Sequence, residues 1–179
     1  MNRASTIKWL GLLLMVALTG CVGYTAGPTN GFPAGERTVK VNYFKNETLE
    51  PRLVVAVNRA LKRNLQKDGT FELETSGNAD LFVTGELTDF LRGGVSYTPG
   101  DILTVQDYNL QLTAKIKVTD RVTGEVVIER EITGSSIVRV GNNLTAGQRQ
   151  VVPLIADQIA RQATDLIVDR DWPEAPAVP

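Results

Sequence analysis

The sequence predicts an α+β fold, a two-layer sandwich with two helices on one face of a mixed four- to five-stranded sheet, in the order β-α-β-β-β-β-α. Two segments, starting near Pro51 and Thr145, carry apolar residues at three- and four-residue spacing, as an amphipathic helix does. Between and before them, apolar and polar residues alternate, as in a half-buried strand. Each kind of element must bury one face, and laying the helices on the sheet buries both.

Taken in order, Thr38 to Phe44 reads as the first strand, with Val39, Val41 and Tyr43 on one side and Lys40 and Asn42 on the other. Asn46-Glu47-Thr48 turns the chain, and Pro51 suits the first position of a helix. Along Pro51 to Lys67 the apolar stripe is Leu53, Val54, Val57, Leu61 and Leu65, with Arg52, Arg59, Lys62, Arg63 and Gln66 opposite. Asp68-Gly69 stops the helix. Phe71 to Thr75 forms a second strand, parallel to the first if the crossover is right-handed. Leu81 to Leu91 is the third, interrupted by Gly85, and the change of phase from Leu87 to Phe90 predicts a bulge. Arg92-Gly93-Gly94 and Thr98-Pro99-Gly100-Asp101 both have turn chemistry.

The fourth strand, Val105 to Thr119, has the clearest pattern: Tyr108, Leu110, Leu112, Ala114, Ile116 and Val118 alternate with polar residues. Asp120 to Gly124 makes a hairpin loop. Glu125 to Thr133 returns as strand five, with Val126, Ile128 and Ile132 in phase and Arg130 out of character. A polar stretch runs from Gly134 to Leu144. Thr145-Ala146-Gly147-Gln148 then has the form of a capping box. The last helix ends near Val168, with Leu154, Ile155, Ile159, Ala163, Leu166 and Ile167 on its apolar side. Pro153 either kinks it or begins its main segment.

A chain of 179 residues fits one domain. With no histidine there is no Ser-His-Asp triad and no His-ligated metal, and one cysteine allows neither an intrachain disulfide nor a Cys-rich zinc site. No cofactor and no metal are expected. A formal charge of −1 argues against a nucleic-acid binder. An enzyme reading would need two carboxylates facing one cleft. Glu86 and Asp89 are the candidates, but they lie on a strand without a flanking signature and read as exposed acids. The expectation is a non-enzymatic protein.

The N-terminus is a targeting segment. Arg3 and Lys8 precede the ten-residue apolar run Trp9 to Leu18, too short to span a bilayer, which takes about 20 residues. It matches a secretory signal peptide. Leu18-Thr19-Gly20-Cys21 has the form of a bacterial lipoprotein signal: an apolar residue, two small ones that admit the peptidase, and a thiol that accepts a diacylglyceryl group. Cleavage between Gly20 and Cys21 leaves 159 residues and, with Arg3 and Lys8 gone, a charge of −3. Palmitate-class chains on Cys21, at about 0.8 kcal/mol per buried methylene, make a lasting membrane anchor. Val22, in place of an aspartate, favours the outer membrane. The expected organisation is a signal peptide (1–20), a lipidated tether (21–35), one α+β domain (36–172) and a Pro/Ala tail (173–179).

The order of these features resembles the LptE family of lipopolysaccharide-assembly lipoproteins. The likeness rests on Cys21-Val22-Gly23-Tyr24, on Val39 through Thr48, and on the helix from Pro51 with Asp68-Gly69. It continues through Ala79-Asp80-Leu81-Phe82-Val83-Thr84-Gly85, Asp107-Tyr108 with its long strand, Thr123-Gly124, and Asp171-Trp172. The resemblance implies two helices on a mostly four-stranded sheet and a lipid-anchored protein of the outer membrane, on its periplasmic side. It implies as partners a large outer-membrane β-barrel of the LptD kind, which the lipoprotein plugs, and lipopolysaccharide, met through basic loop residues. The segment Val95 to Val105 has no Lys or Arg, so Arg92 and Arg139 are the candidates for that contact. Asn42 to Asp68 also resembles the β-α-β start of curli-channel lipoproteins and periplasmic Tol proteins, which leaves a scaffold lipoprotein of another envelope complex as the alternative.

Lengths point to a partner surface. Strand four spans roughly 50 Å at about 3.3 Å per residue, and the first helix roughly 25 Å at about 1.5 Å per residue. One end of the hairpin of strands three and four should project beyond the helices, with Tyr97, Ile102 and Tyr108 as partner contacts and Tyr108 and Leu110 under partial cover. The alternative is a loop from Arg92 to Val105 that folds back over them.

Overall fold

The computed structural model describes residues 33–139, 144–170 and 172. The strands are β1 (Arg37–Val41), β2 (Lys45–Asn46), β3 (Phe71–Leu73), β4 (Leu81–Thr98), β5 (Asp101–Asp120) and β6 (Val126–Arg139). The helices are α1 (Arg52–Asp68), between β2 and β3, and α2 (Leu144–Val168), after β6. The sheet order is β3-β1-β4-β5-β6, with β2 also paired to β4. β1 is parallel to β3 and β4, β2 is parallel to β4, and β4-β5-β6 is an antiparallel meander. This is the expected α+β two-layer architecture, with one more strand.

α1 follows its sequence closely. Pro51 sits in the right-handed helical region ahead of Arg52, and Gly69, at φ 78°, ends the helix by donating its N–H to the Leu65 carbonyl at 3.1 Å. Leu53, Val54, Val57, Ala60, Leu61 and Leu65 are buried in one core with α2, Val39, Val41, Leu81, Val83 and the even-numbered residues of β5 from Leu110 to Val118. Each such aliphatic side chain contributes about 1.5–3 kcal/mol of transfer free energy. Asp80 joins the start of β4 to β1: its carboxylate accepts from the Thr38 N–H at 3.0 Å and the Thr38 hydroxyl at 2.9 Å. At the far end, Trp172 meets Phe71 edge-on at 5.9 Å and donates its indole N–H to the Ile167 carbonyl.

Several expectations need correction. β1 stops at Val41, and the next residues leave the alternation, so Tyr43 is exposed and Phe44 is buried. The reason is Gly85: a Cβ there would lie 2.4 Å from the Phe44 ring, so the missing side chain makes room for the ring over β4. Asn46 belongs to β2, paired through Asn46 and Leu87, while its carboxamide oxygen accepts from the Thr48 N–H and so forms the expected turn just after it. Arg92-Gly93-Gly94 is not a turn. β4 runs on to Thr98, paired with β5 through register shifts from Gly94 to Thr98, and the reversal falls at Pro99-Gly100, where Gly100 has φ 83°. β6 likewise continues through Gly134 to Arg139. A Cβ on Gly134 would stand 3.0 Å from the Ile155 carbonyl oxygen, so this glycine marks the close approach of α2 and not a loop. A register shift between Val118 and Thr119 places Val126 opposite Thr119, and it is exposed.

The bulge after Leu87 is present, as a register shift between Leu87 and Asp89. In α2 the helix runs through Pro153. Leu154 is exposed, because the buried rows are Val151, Val152, Ile155, Ala156, Ile159, Ala160, Ala163 and Ile167, which serve both the sheet and α1. The side chain of Thr145, expected as a cap, lies outside the described residues, as do the signal peptide, Cys21, most of the tether and the tail.

Candidate docking hairpin

The geometry follows from unequal lengths. β5 has 20 residues, about 66 Å at 3.3 Å each. α1 has 17 residues, about 25 Å, and α2 has 25, about 37 Å. α2 is level with Val138 at Gly147, three residues in from its start, since a Cβ on Gly147 would strike the Val138 methyl at 2.5 Å. Val138 pairs with Tyr108, and Tyr108 with Gly94. From Tyr108 to Asp101 the hairpin spans about 23 Å, of which about 18 Å lies beyond the first turn of α2 and so beyond the helix layer. It does not fold back, because the ladder is paired out to Thr98 and Asp101. Leu110, expected under partial cover, is fully buried, because α2 reaches farther along the sheet than α1; Tyr108 is half-buried at the margin.

The tip is held by its own polar groups. Asp101 accepts from the Leu103 N–H at 2.9 Å and from the Thr104 hydroxyl. These bonds, the hydroxyl's first, hold its carboxyl below the usual range. At the base, Asp107 of β5 accepts from Arg139 Nε of β6 at 3.0 Å and from Ser96 Oγ of β4 at 2.5 Å. One carboxylate thus braces three strands. The Arg139 bond, then the Ser96 bond, lowers the Asp107 pKa, and the same pair raises that of Arg139.

The candidate residues do not all meet. Arg139 is spent on this brace, though its side chain remains largely exposed. Arg92 lies over the Phe90 ring at 5.5 Å. The register places Arg92 opposite Leu110, on the helix face of the sheet, and Arg139 opposite Asp107, on the open face. The two arginines are therefore not one cluster. Tyr97 is exposed on the tip, paired with Val105. The side chain of Ile102 lies outside the described residues.

Exposed Leu91, Val95 and Leu103 on the hairpin, and Ile137 beside its base, were missed by sequence reasoning. Reading Arg92 to Val105 as a loop hid the strand positions that would have shown them. The two long edges of the sheet also differ. Along β6, α2 supplies partners for the outward backbone: Gln158 accepts from the Ser135 N–H at 2.9 Å, Gln162 donates to the Thr133 carbonyl at 3.0 Å, and Arg170 donates to the Val127 carbonyl. The outer edge of β4 has β1 and β2 beside it only as far as Leu87, and from Thr88 to Thr98 it has no second strand among the described residues. An uncovered edge of that length is a template for another chain.

Glu86 is ion-paired with Lys45 at 2.7 Å, and Lys45 also holds Glu47 at 2.6 Å. The described residues contain no group of three or more His, Cys, Asp or Glu placed to hold a metal. No described helix is long and apolar enough to cross a membrane.

The class is a small α+β domain with an overlong antiparallel hairpin. The same fold is found in a protein from Xanthomonas campestris (TM-score 0.60, 10% identity, 82% of this chain and 92% of that one). It is found in a protein from Chlamydia trachomatis (0.55, 12%, 75% and 97%) and in a minor lipoprotein from Acinetobacter baumannii (0.53, 17%, 78% and 98%). At such identities the likeness is one of fold alone. No curated protein is a match in sequence. The model of the LptE family, lipopolysaccharide-assembly, matches residues 36–170, and the chain belongs to that family. It is a lipoprotein of lipopolysaccharide assembly in the cell envelope.

Proposed function

We propose that this protein is a non-enzymatic lipoprotein, anchored through acylated Cys21 on the periplasmic side of the outer membrane, that plugs and supports a large β-barrel translocon of the LptD kind during lipopolysaccharide insertion. The observation that carries this reading is the projection of the β4–β5 hairpin about 18 Å past the helices, with apolar side chains and an open strand edge on it. A narrow, two-stranded finger suits insertion into a lumen, and an uncovered β4 edge suits pairing with a strand or loop of the wall. The domain at 36–172 is then the plug, residues 21–35 its tether. Arg92 and Arg139, on opposite faces, meet lipopolysaccharide separately if both do. A photocrosslinker at Tyr97 or Ile102 should capture a large barrel protein in cells, and one at Lys62, on α1, should capture it much less often. Equal capture from both places, or none from the hairpin, would overturn the docking role.

A further inference from the structure

We propose that the free edge of β4 from Thr88 to Gly94 takes an extended segment of the barrel partner as a further strand of the sheet. Read along β4, that segment carries a basic residue, two apolar residues and an acidic residue, opposite Asp89, Phe90, Leu91 and Arg92. The proposal rests on the plug reading above and states what the barrel must present to this edge.

The chain itself prepares the place. β2 lies beside β4 only at Lys45 and Asn46, after which the Glu47 N–H donates to the Leu87 carbonyl at 2.9 Å. The Asn46 carboxamide then accepts from the Thr48 N–H at 3.1 Å and donates to the Glu50 carbonyl at 3.2 Å. These bonds turn the backbone away from β4 and hold it there. A cleft of about 420 Å³ opens between Glu47–Glu50 and Thr88–Arg92, on the side of β4 that β2 has left. From Thr88 to Gly94 this lane is about 23 Å long; past Gly94 three register shifts disturb the ladder with β5. Alternate backbone groups of β4 point into the lane, because β5 uses the others. The opposite edge of the sheet is closed to strand addition by the side chains of Gln158, Gln162 and Arg170. This one is left open.

Charge states what fits. Lys45 is paired with Glu47 and Glu86, and Arg52 with Glu50, so the charges at the mouth of the lane are met. Asp89 and Arg92 are exposed and make no ion pair among the described residues. Asp89 stands opposite Thr113 on the open face. Arg92 stands opposite Leu110 on the helix face, its guanidinium over the Phe90 ring. Directly opposed residues of neighbouring strands share a face and interact. A strand in the lane therefore meets Asp89 on the open face and, three positions on, Arg92 on the helix face. Opposite charges at those two positions, with apolar residues against half-buried Phe90 and exposed Leu91, satisfy all four. A second copy of this chain does not. Two β4 edges paired antiparallel about a two-fold axis join open face to open face, so Asp89 of one copy cannot meet Arg92 of the other. A lipid offers the outward backbone groups no ladder. Arg92 is then held by protein, and Arg139 is the arginine left for lipopolysaccharide.

The test is made in cells on the full chain, with a benzophenone photocrosslinker at Leu91 on the open face, at Arg92 on the helix face, or at Tyr97 as the reference. Captured peptides are sequenced by mass spectrometry. The probes at Leu91 and Arg92 should both capture one segment of the barrel, at residues within about three of each other, and that segment should hold the basic-apolar-apolar-acidic order. With the probe at Leu91, Asp89→Lys and Arg92→Glu should each lower the adduct yield roughly fivefold. Capture from one face only, capture of separate segments by the two probes, capture of a second copy or of lipopolysaccharide, or an undiminished yield in both charge variants would overturn the proposal. Barrel captured from Tyr97 but not from Leu91 or Arg92 would defeat strand addition and leave the plug reading standing. No barrel from any of the three would defeat the plug reading and this proposal with it.

Discussion

Substituting Gly85 should expose how β4 and Phe44 depend on each other. The Phe44 ring lies where a Cβ on residue 85 would be, with its carbons 2.4 to 2.6 Å from that position, well inside van der Waals contact. Both flanks are closed, since Phe44, Val83 and Leu87 are all at or below 5% exposure. The ring cannot move without opening the core, so Gly85→Ala is an overpacking change and should cost about 1–3 kcal/mol. Phe44→Ala removes a buried ring and should cost about 3–5 kcal/mol. The double variant should cost less than the two together by about the size of the clash, because the new methyl then enters space the ring has left. Urea denaturation of the soluble chain from residue 22 onward, followed by far-UV circular dichroism for all four proteins, measures the coupling. Additivity within about 0.5 kcal/mol would refute the reasoning, as would an unchanged midpoint for Gly85→Ala.

Cys21→Ser should leave an unprocessed or soluble form, and intact mass of the membrane fraction should show acyl chains on Cys21 only in the parent protein. An unmodified Cys21 there would sink the anchor. The hairpin base should respond to acid: the Asp107 carboxyl is depressed by Arg139 and Ser96. Its contribution is therefore complete above the unfolded aspartate value of about 3.9 and is lost as pH falls through the lower folded value. Amide exchange at Ser96 and Tyr97 should be flat from neutrality to about pH 4, after allowance for the intrinsic rate, and faster at all these pH values in Asp107→Asn. Equal protection in the variant would show that the brace does not hold the hairpin.

The sequence by itself determined the two helices, the parallel crossover, β5 and the bulge after Leu87. Each is written in short-range spacing, which survives whatever the chain packs against. The amphipathic stripe of α1 and the alternation of β5 needed no knowledge of their neighbours. Tertiary structure alone decided the rest. Gly93-Gly94 and Gly134 carry the composition of turns yet lie in ladders, because the long β5 between β4 and β6 supplies partners that outweigh a local preference. The two-residue β2 has no pattern to read and exists only because β4 lies beside it. Phe44, not Tyr43, is buried because Gly85, far along the chain, leaves a place for one ring. Leu154 faces outward because α2 must serve the sheet and α1 together. Arg92 and Arg139 look alike in sequence, but pairing sends them to opposite faces and gives Arg139 a carboxylate. Side-chain periodicity is a property of the chain, whereas which face is covered, and how far a hairpin outruns its cover, depends on the lengths and contacts of elements distant in sequence.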